Sequence, residues 1–194
     1  MRFSGTALLL IGFLCCIPWM PGAAFAEEKP PIPQAGGVPV TEGMRMLEVE
    51  AVAPDFSILD TEGKPFRLGD EKHKKAFLLV FWSIFCEPCR LEMPVVQKMQ
   101  EKYRGAGLEV AAIALDGEPL KNTIAGFIKQ EGYTFRVLID ELDANERFKA
   151  ADPYGVAWTP TLYLLNREGK VSFGKTGRLT EEELEKAIQA VLKK

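Results

Sequence analysis

Two cysteines separated by two residues, Cys86-Glu87-Pro88-Cys89, close the apolar run Phe81-Trp82-Ser83-Ile84-Phe85. Thiols at that spacing can form a small disulfide ring and reopen it, a chemistry that calls for no cofactor. If a strand ends near Phe81 and a helix starts at Cys86, the first sulfur stands at a helix N-terminus. There the unpaired backbone N–H groups and the helix dipole favour a thiolate. Two other readings compete. Zinc requires four ligands, whereas the chain after its N-terminal segment offers Cys86, Cys89 and His73, its single histidine. A purely structural disulfide across so short a loop would restrain the unfolded chain little. Redox chemistry alone explains why the pair lies between an apolar strand and a helix.

The elements around the pair follow from periodicity. Ala76–Trp82 is continuously apolar, which predicts a strand buried on both faces. The helix after it is expected from Cys86 to Tyr103, with Leu91, Val95, Val96 and Met99 as apolar positions, Pro94 as a kink and Gly105-Ala106-Gly107 as its end. Strands are expected at Leu108–Leu115, Tyr133–Ile139 and Trp158–Asn166, and helices at Pro119–Gln130 and Ala144–Ala151. Arg167-Glu168-Gly169-Lys170 turns the chain into Val171–Phe173. Thr180-Glu181-Glu182-Glu183 reads as a capping box, starting a last helix with Leu184, Ile188, Val191 and Leu192 inward. Upstream, Phe56–Asp60 and Pro65–Leu68 flank the turn Thr61–Lys64 as a hairpin. The order predicts an α/β domain, a mixed sheet with helices on both faces and one antiparallel edge.

A chain of 194 residues, 47% of them hydrophobic, can build one domain with appendages. The net charge of -3, without a dense Lys/Arg block, argues against nucleic acid as a partner. Lys72-His73-Lys74-Lys75 reads as a solvated loop. Residues 1–26 read as a signal peptide: Arg2, the apolar stretch Ala7–Leu14, then Ala24-Phe25-Ala26. Cleavage after Ala26 would remove Cys15 and Cys16, leaving Cys86 and Cys89 as the only thiols of an exported, periplasmic or extracytoplasmic protein. Retention as a membrane anchor is the alternative, against which Pro18 and Pro21 count. Lipidation at Cys15 or Cys16 is another, against which the preceding Leu14 and Cys15 count. Residues 27–46, with Pro30-Pro31-Ile32-Pro33 and Gly36-Gly37, read as a flexible linker before a domain of residues 47–194.

Phe81-Trp82, Cys86-Glu87-Pro88-Cys89, Pro94 and Thr159-Pro160 together resemble the thioredoxin fold. Ala53-Pro54-Asp55-Phe56 and the segment Gly117–Tyr133 resemble its exported TlpA/ResA/CcmG-type branch, and the Cys-Glu-Pro-Cys motif followed by Glu92 is most similar to ResA-type members. The resemblance spans Leu47 to Lys194. It implies a thioredoxin fold with an N-terminal hairpin and a central β-α insertion, and a thiol:disulfide oxidoreductase. Cys86 would attack a partner disulfide as thiolate and Cys89 would resolve the mixed disulfide. Pro160, as a cis proline, would face the sulfurs, and Thr159 would offer backbone groups to an extended substrate. Glu87, beside Pro88 in the motif, and Glu92 would disfavour the Cys86 thiolate, making the protein a reductant. Glu92 would also move protons for Cys89; as a solvated first-turn residue it would do neither. The implied partners are disulfides of exported proteins such as apocytochrome c, and a membrane thiol-electron donor of CcdA/DsbD type.

Three positions depart from the thioredoxin pattern. Val80 stands where thioredoxin has a buried aspartate, and Phe85 where a tryptophan is usual. Trp158 stands where a glycine is usual, so it either narrows the substrate groove or packs onto the sheet. A peroxiredoxin-like peroxidase is the alternative that shares Ala-Pro-Asp-Phe and a Ser, here Ser83, three residues before the cysteine, but in this chain Cys89 is present and no Pro-x-x-x-Thr/Ser pattern leads into Cys86. A non-enzymatic metal carrier would need the His- or Met-rich site that the sequence does not offer.

Overall fold

Strand β3, Ala76–Trp82, is buried at every residue because it has a neighbour on each side: parallel β4 (Leu108–Ala114) and antiparallel β6 (Thr161–Leu165). The computed structural model describes residues 44–193. Around β3 it places β1 (Ser57–Asp60), β2 (Pro65–Arg67), β5 (Arg136–Ile139) and β7 (Val171–Thr176) in one sheet of order β2-β1-β5-β4-β3-β6-β7. The helices are α1 (Glu87–Tyr103), α2 (Lys121–Glu131) and α3 (Glu181–Leu192). β3, β4 and β5 run parallel, and all other pairings are antiparallel. The expected single antiparallel edge is therefore two. The β1–β2 hairpin docks antiparallel on β5, and its turn is tied by Asp60, whose Oδ1 accepts the Glu62 and Lys64 N–H groups at 2.9 Å each.

Alternation along β3 divides the core. Leu78, Val80 and Trp82 point into a cluster with Cys89, Met93, Val96 and Met99 of α1, Ile124 of α2, and Leu184, Ile188 and Val191 of α3. Phe77, Leu79 and Phe81 point the other way, to Phe56, Phe66, Tyr154 and Tyr163. The buried residues of all three α-helices thus lie on one face, not two. The helix expected at Ala144–Ala151 does not form. Asp143 Oδ1 accepts the N–H groups of Asn145 and Arg147, and Glu146 takes a left-handed φ of 59°. A side-chain acceptor and a left-handed residue both interrupt the helical ladder. Non-helical chain from Ala150 to Val156 covers this face instead.

Helix α1 buries the stripe Cys89, Glu92, Met93, Val96, Met99 and Gln100, the spacing of a single helical face. Leu91 lies off that stripe and is 54% exposed, so its apolar type misleads. Pro94 is exposed within one helix that runs unbroken from Glu87 to Tyr103. β5 starts three residues later than expected: Thr134 N–H is taken by Gln97 Oε1 of α1, and Tyr133 stacks on Phe135. β6 likewise starts at Thr161, after a bend over Trp158–Pro160. The Thr180 capping box of α3 forms as expected, with Leu184, Ile188 and Val191 buried and Leu192 half-buried. Among the described residues no helix is long and apolar enough to cross a membrane. Residues 1–26, and most of the stretch 27–46, lie outside the described residues; Met46 packs against the second core cluster.

Candidate active site

Cys86 is the N-cap of α1, and its Sγ accepts the Cys89 N–H at 3.2 Å. The two cysteines form a disulfide with Cα atoms 5.2 Å apart. The motif bends this way because an extended N-cap turns the chain into the helix, and Pro88 in the first turn needs no N–H partner there. The result is an asymmetric pair: Cys86 is half-buried, whereas Cys89 is 0% exposed. Glu87 and Pro88 are exposed in the first turn, where the helix dipole favours a carboxylate.

Asp116, just beyond β4, holds the loop that delivers Cys86. Its Oδ1 accepts Ser83 Oγ–H at 2.7 Å and its Oδ2 accepts Ile84 N–H at 3.0 Å. Ser83 in turn accepts Phe85 N–H at its Oγ and Cys86 N–H at its carbonyl. Sequence reading passed over Asp116. The available signal was an acidic residue directly after a buried parallel strand, since the C-terminal ends of such strands are where sites assemble.

A second segment near the end of β3 leads into β6. The Thr159-Pro160 peptide bond is cis, and Pro160 is buried. The register Phe81↔Thr161 sets this turn beside the end of β3, which leads into Cys86. Thr161 Oγ–H donates to the Trp158 carbonyl at 2.6 Å, and Pro160 O accepts Gly177 N–H at 2.8 Å. Trp158 is 69% exposed, so it does not pack onto the sheet; Phe85 is 77% exposed. Two large apolar rings therefore face solvent at the segments that lead into Cys86 and Pro160. His73 is exposed. Among the described residues no three His, Cys, Asp or Glu side chains gather as a metal-binding group.

Glu92 follows Cys89 by three residues on the same helix face, and its side chain is fully buried. The reading of Glu92 as a solvated residue is overturned. Its two oxygens accept the Leu179 N–H at 3.2 and 3.3 Å, and Arg178 Nε lies 3.7 Å away. Burial pushes its pKa above the ordinary 4.5, although the Leu179 N–H, Arg178 and Lys175 pull the other way. Val80, buried on the same side of the sheet as Cys89, carries no titratable group. A carboxyl whose pKa rises on folding costs stability as pH climbs from its unfolded toward its folded value. Glu92→Gln keeps an acceptor for Leu179 and removes that charge. The variant is therefore expected to melt higher than wild type at neutral pH, with the gap closing at acid pH; thermal unfolding across pH would show it.

The Redoxin family matches residues 48–192. A thiol-disulfide oxidoreductase ResA of Geobacillus thermodenitrificans is 35% identical over 145 residues, 75% of this chain and 79% of that one. ResA of Bacillus subtilis is 36% identical over 142 residues, 73% and 75% of the two chains. The crystal structure of a putative thiol:disulfide interchange protein DsbE from Chlorobium tepidum superposes with a TM-score of 0.65 at 32% identity, covering 75% of this chain and 99% of that one. With the strand–cysteine–helix geometry of this chain in place, these matches give its family: the fold is that of thioredoxin, and the chain belongs to the Redoxin family as a thiol-disulfide oxidoreductase.

Proposed function

We propose that the protein works outside the cytoplasm and reduces disulfides of exported proteins, apocytochrome c before haem attachment among them. The observation that carries the disulfide-exchange chemistry is the asymmetry of the pair: Cys86 half-buried at the helix cap, with Cys89 sealed below it. In the reduced protein Cys86 attacks as thiolate, favoured by the N-terminal N–H groups of α1. Its sulfur bonds to one sulfur of the substrate disulfide, and the other leaves as thiolate. Glu92 takes the Cys89 proton, and Cys89 bonds to Cys86. The Cys86–substrate bond breaks, and the second substrate thiol departs. The dithiol has lost two electrons and the substrate disulfide has gained them.

Thr159 lies before Pro160 and supplies backbone groups to an extended substrate, while Phe85 and Trp158 offer it apolar surface. Residues 1–26 act as the export signal, and residues 27–46 as a linker to the domain of residues 47–194. A membrane thiol donor of CcdA/DsbD type returns the pair to the dithiol. The activity named for the relatives favours disulfide exchange over peroxide reduction or metal carriage.

Glu87 and Glu92 place carboxyl groups around the pair, which disfavours a thiolate and so the reduced form. The potential of Cys86–Cys89 against a thiol redox buffer tests this. The expected value lies closer to thioredoxin, about -270 mV, than to the oxidant DsbA, about -120 mV. A value at the oxidant end would overturn the reductant assignment.

A further inference from the structure

Four residues, Gly177 to Thr180, form a strap that touches both halves of the site. Gly177 N–H donates to Pro160 O at 2.8 Å, and Leu179 N–H donates to both oxygens of Glu92. The strap is fixed at both ends. Thr180 is locked in its capping box with Glu183, and the Leu179 side chain is buried in the helix-side core. Arg178 lies between these anchors, with Nε 3.7 Å from Glu92 Oε2. Its side chain is 47% exposed whereas that of Glu92 is 0% exposed. The cation therefore keeps part of its hydration while facing a carboxylate that has lost its own, which limits the desolvation cost of the pair. The other charged groups acting on Glu92 are Lys175 of β7, which also favours the carboxylate, and Glu183 of α3, which opposes it. Cys89 shares its helix face. Among the described residues, Arg178 is the cation within ion-pair distance of Glu92.

We infer that Arg178 is a positioning residue for the resolving step: seated on the strap, its guanidinium holds Glu92 as the carboxylate that accepts the Cys89 proton. The inference rests on the role proposed for Glu92. In that step the proton passes from Cys89 Sγ to Glu92 and the Cys89–Cys86 bond forms. The bond from Cys86 to the substrate sulfur breaks, and the substrate leaves as thiolate. Burial acts against the charged form of Glu92; the Leu179 N–H opposes that effect first and the Arg178 charge next, so removing the Arg178 cation leaves less of the carboxylate ready.

Rapid mixing of the reduced protein with an aromatic disulfide that releases a coloured thiol separates the two stages. The first release reports attack by Cys86 and the second reports resolution by Cys89. Glu92→Gln should abolish the acid-side inflection in the pH profile of the second release. Arg178→Gln should move that inflection up by about one pH unit, making resolution about tenfold slower below it. Arg178→Lys should recover part of the shift, and Lys175→Gln should move the inflection less than Arg178→Gln. If Glu92→Gln loses the inflection and Arg178→Gln superposes on wild type, the role of Arg178 is refuted and that of Glu92 stands. If Glu92→Gln leaves the inflection in place, the proposed role of Glu92 fails and this inference fails with it.

Discussion

Asp140→Ala should lower the stability of the oxidised protein by about 3 kcal/mol, read as a drop in the urea midpoint at unchanged slope. Asp140 is 0% exposed and follows β5 directly. Its carboxylate accepts N–H groups from Glu141 at 2.9 Å, Ala150 at 3.0 and 3.2 Å, and Ala151 at 2.8 Å. Ala150 and Ala151 are themselves buried, so alanine at position 140 strands two donors away from water. Each stranded donor costs about 1–3 kcal/mol. Relief of the buried charge works in the opposite direction, because burial raises the Asp140 pKa ahead of the hydrogen bonds that lower it. Asp140→Asn keeps one acceptor oxygen and should lose only about 1 kcal/mol. The effect should reach the site. The chain that Asp140 organises continues to Tyr154, whose carbonyl accepts Tyr163 Oη–H at 2.7 Å, and then to Trp158 and Pro160. Equal midpoints for wild type and Asp140→Ala would show that the segment holds its shape without the carboxylate.

The contrast between Asp140 and the Cys86–Cys89 motif shows what the sequence disclosed. The central strand, the helix carrying the pair and the capping box of α3 were legible, because each is a local pattern of apolar residues or of cap residues at fixed spacing. The chemistry was legible for the same reason, both thiols lying within one helical turn. Asp116 and Asp140 were not legible. Each acts on backbone N–H groups distant in sequence, Asp116 on Ile84 and Asp140 on Ala150 and Ala151, and an aspartate after a strand looks like any turn residue. The absent helix at Ala144–Ala151 has the same origin: side-chain acceptors on Asp140 and Asp143 outcompete a weak helical pattern. The state of Glu92 turned on Leu179 and Arg178, 87 and 86 positions further along the chain, which no local pattern reports.

A division of labour between the two sulfurs is the centre of the account, and Cys89→Ser tests it most directly. The variant retains a half-exposed nucleophile at the cap of α1 and loses the group that ejects the substrate. It should complete one attack and stop, so that catalytic turnover of a disulfide substrate disappears and one substrate chain remains attached through Cys86. Intact mass spectrometry should find protein plus one reduced-substrate mass, released by added dithiol, and peptide mapping should place the link at Cys86. Cys86→Ser, with its remaining thiol buried, should show neither turnover nor adduct. A stable adduct on Cys89 in the Cys86→Ser protein, or sustained turnover by Cys89→Ser, would contradict the account.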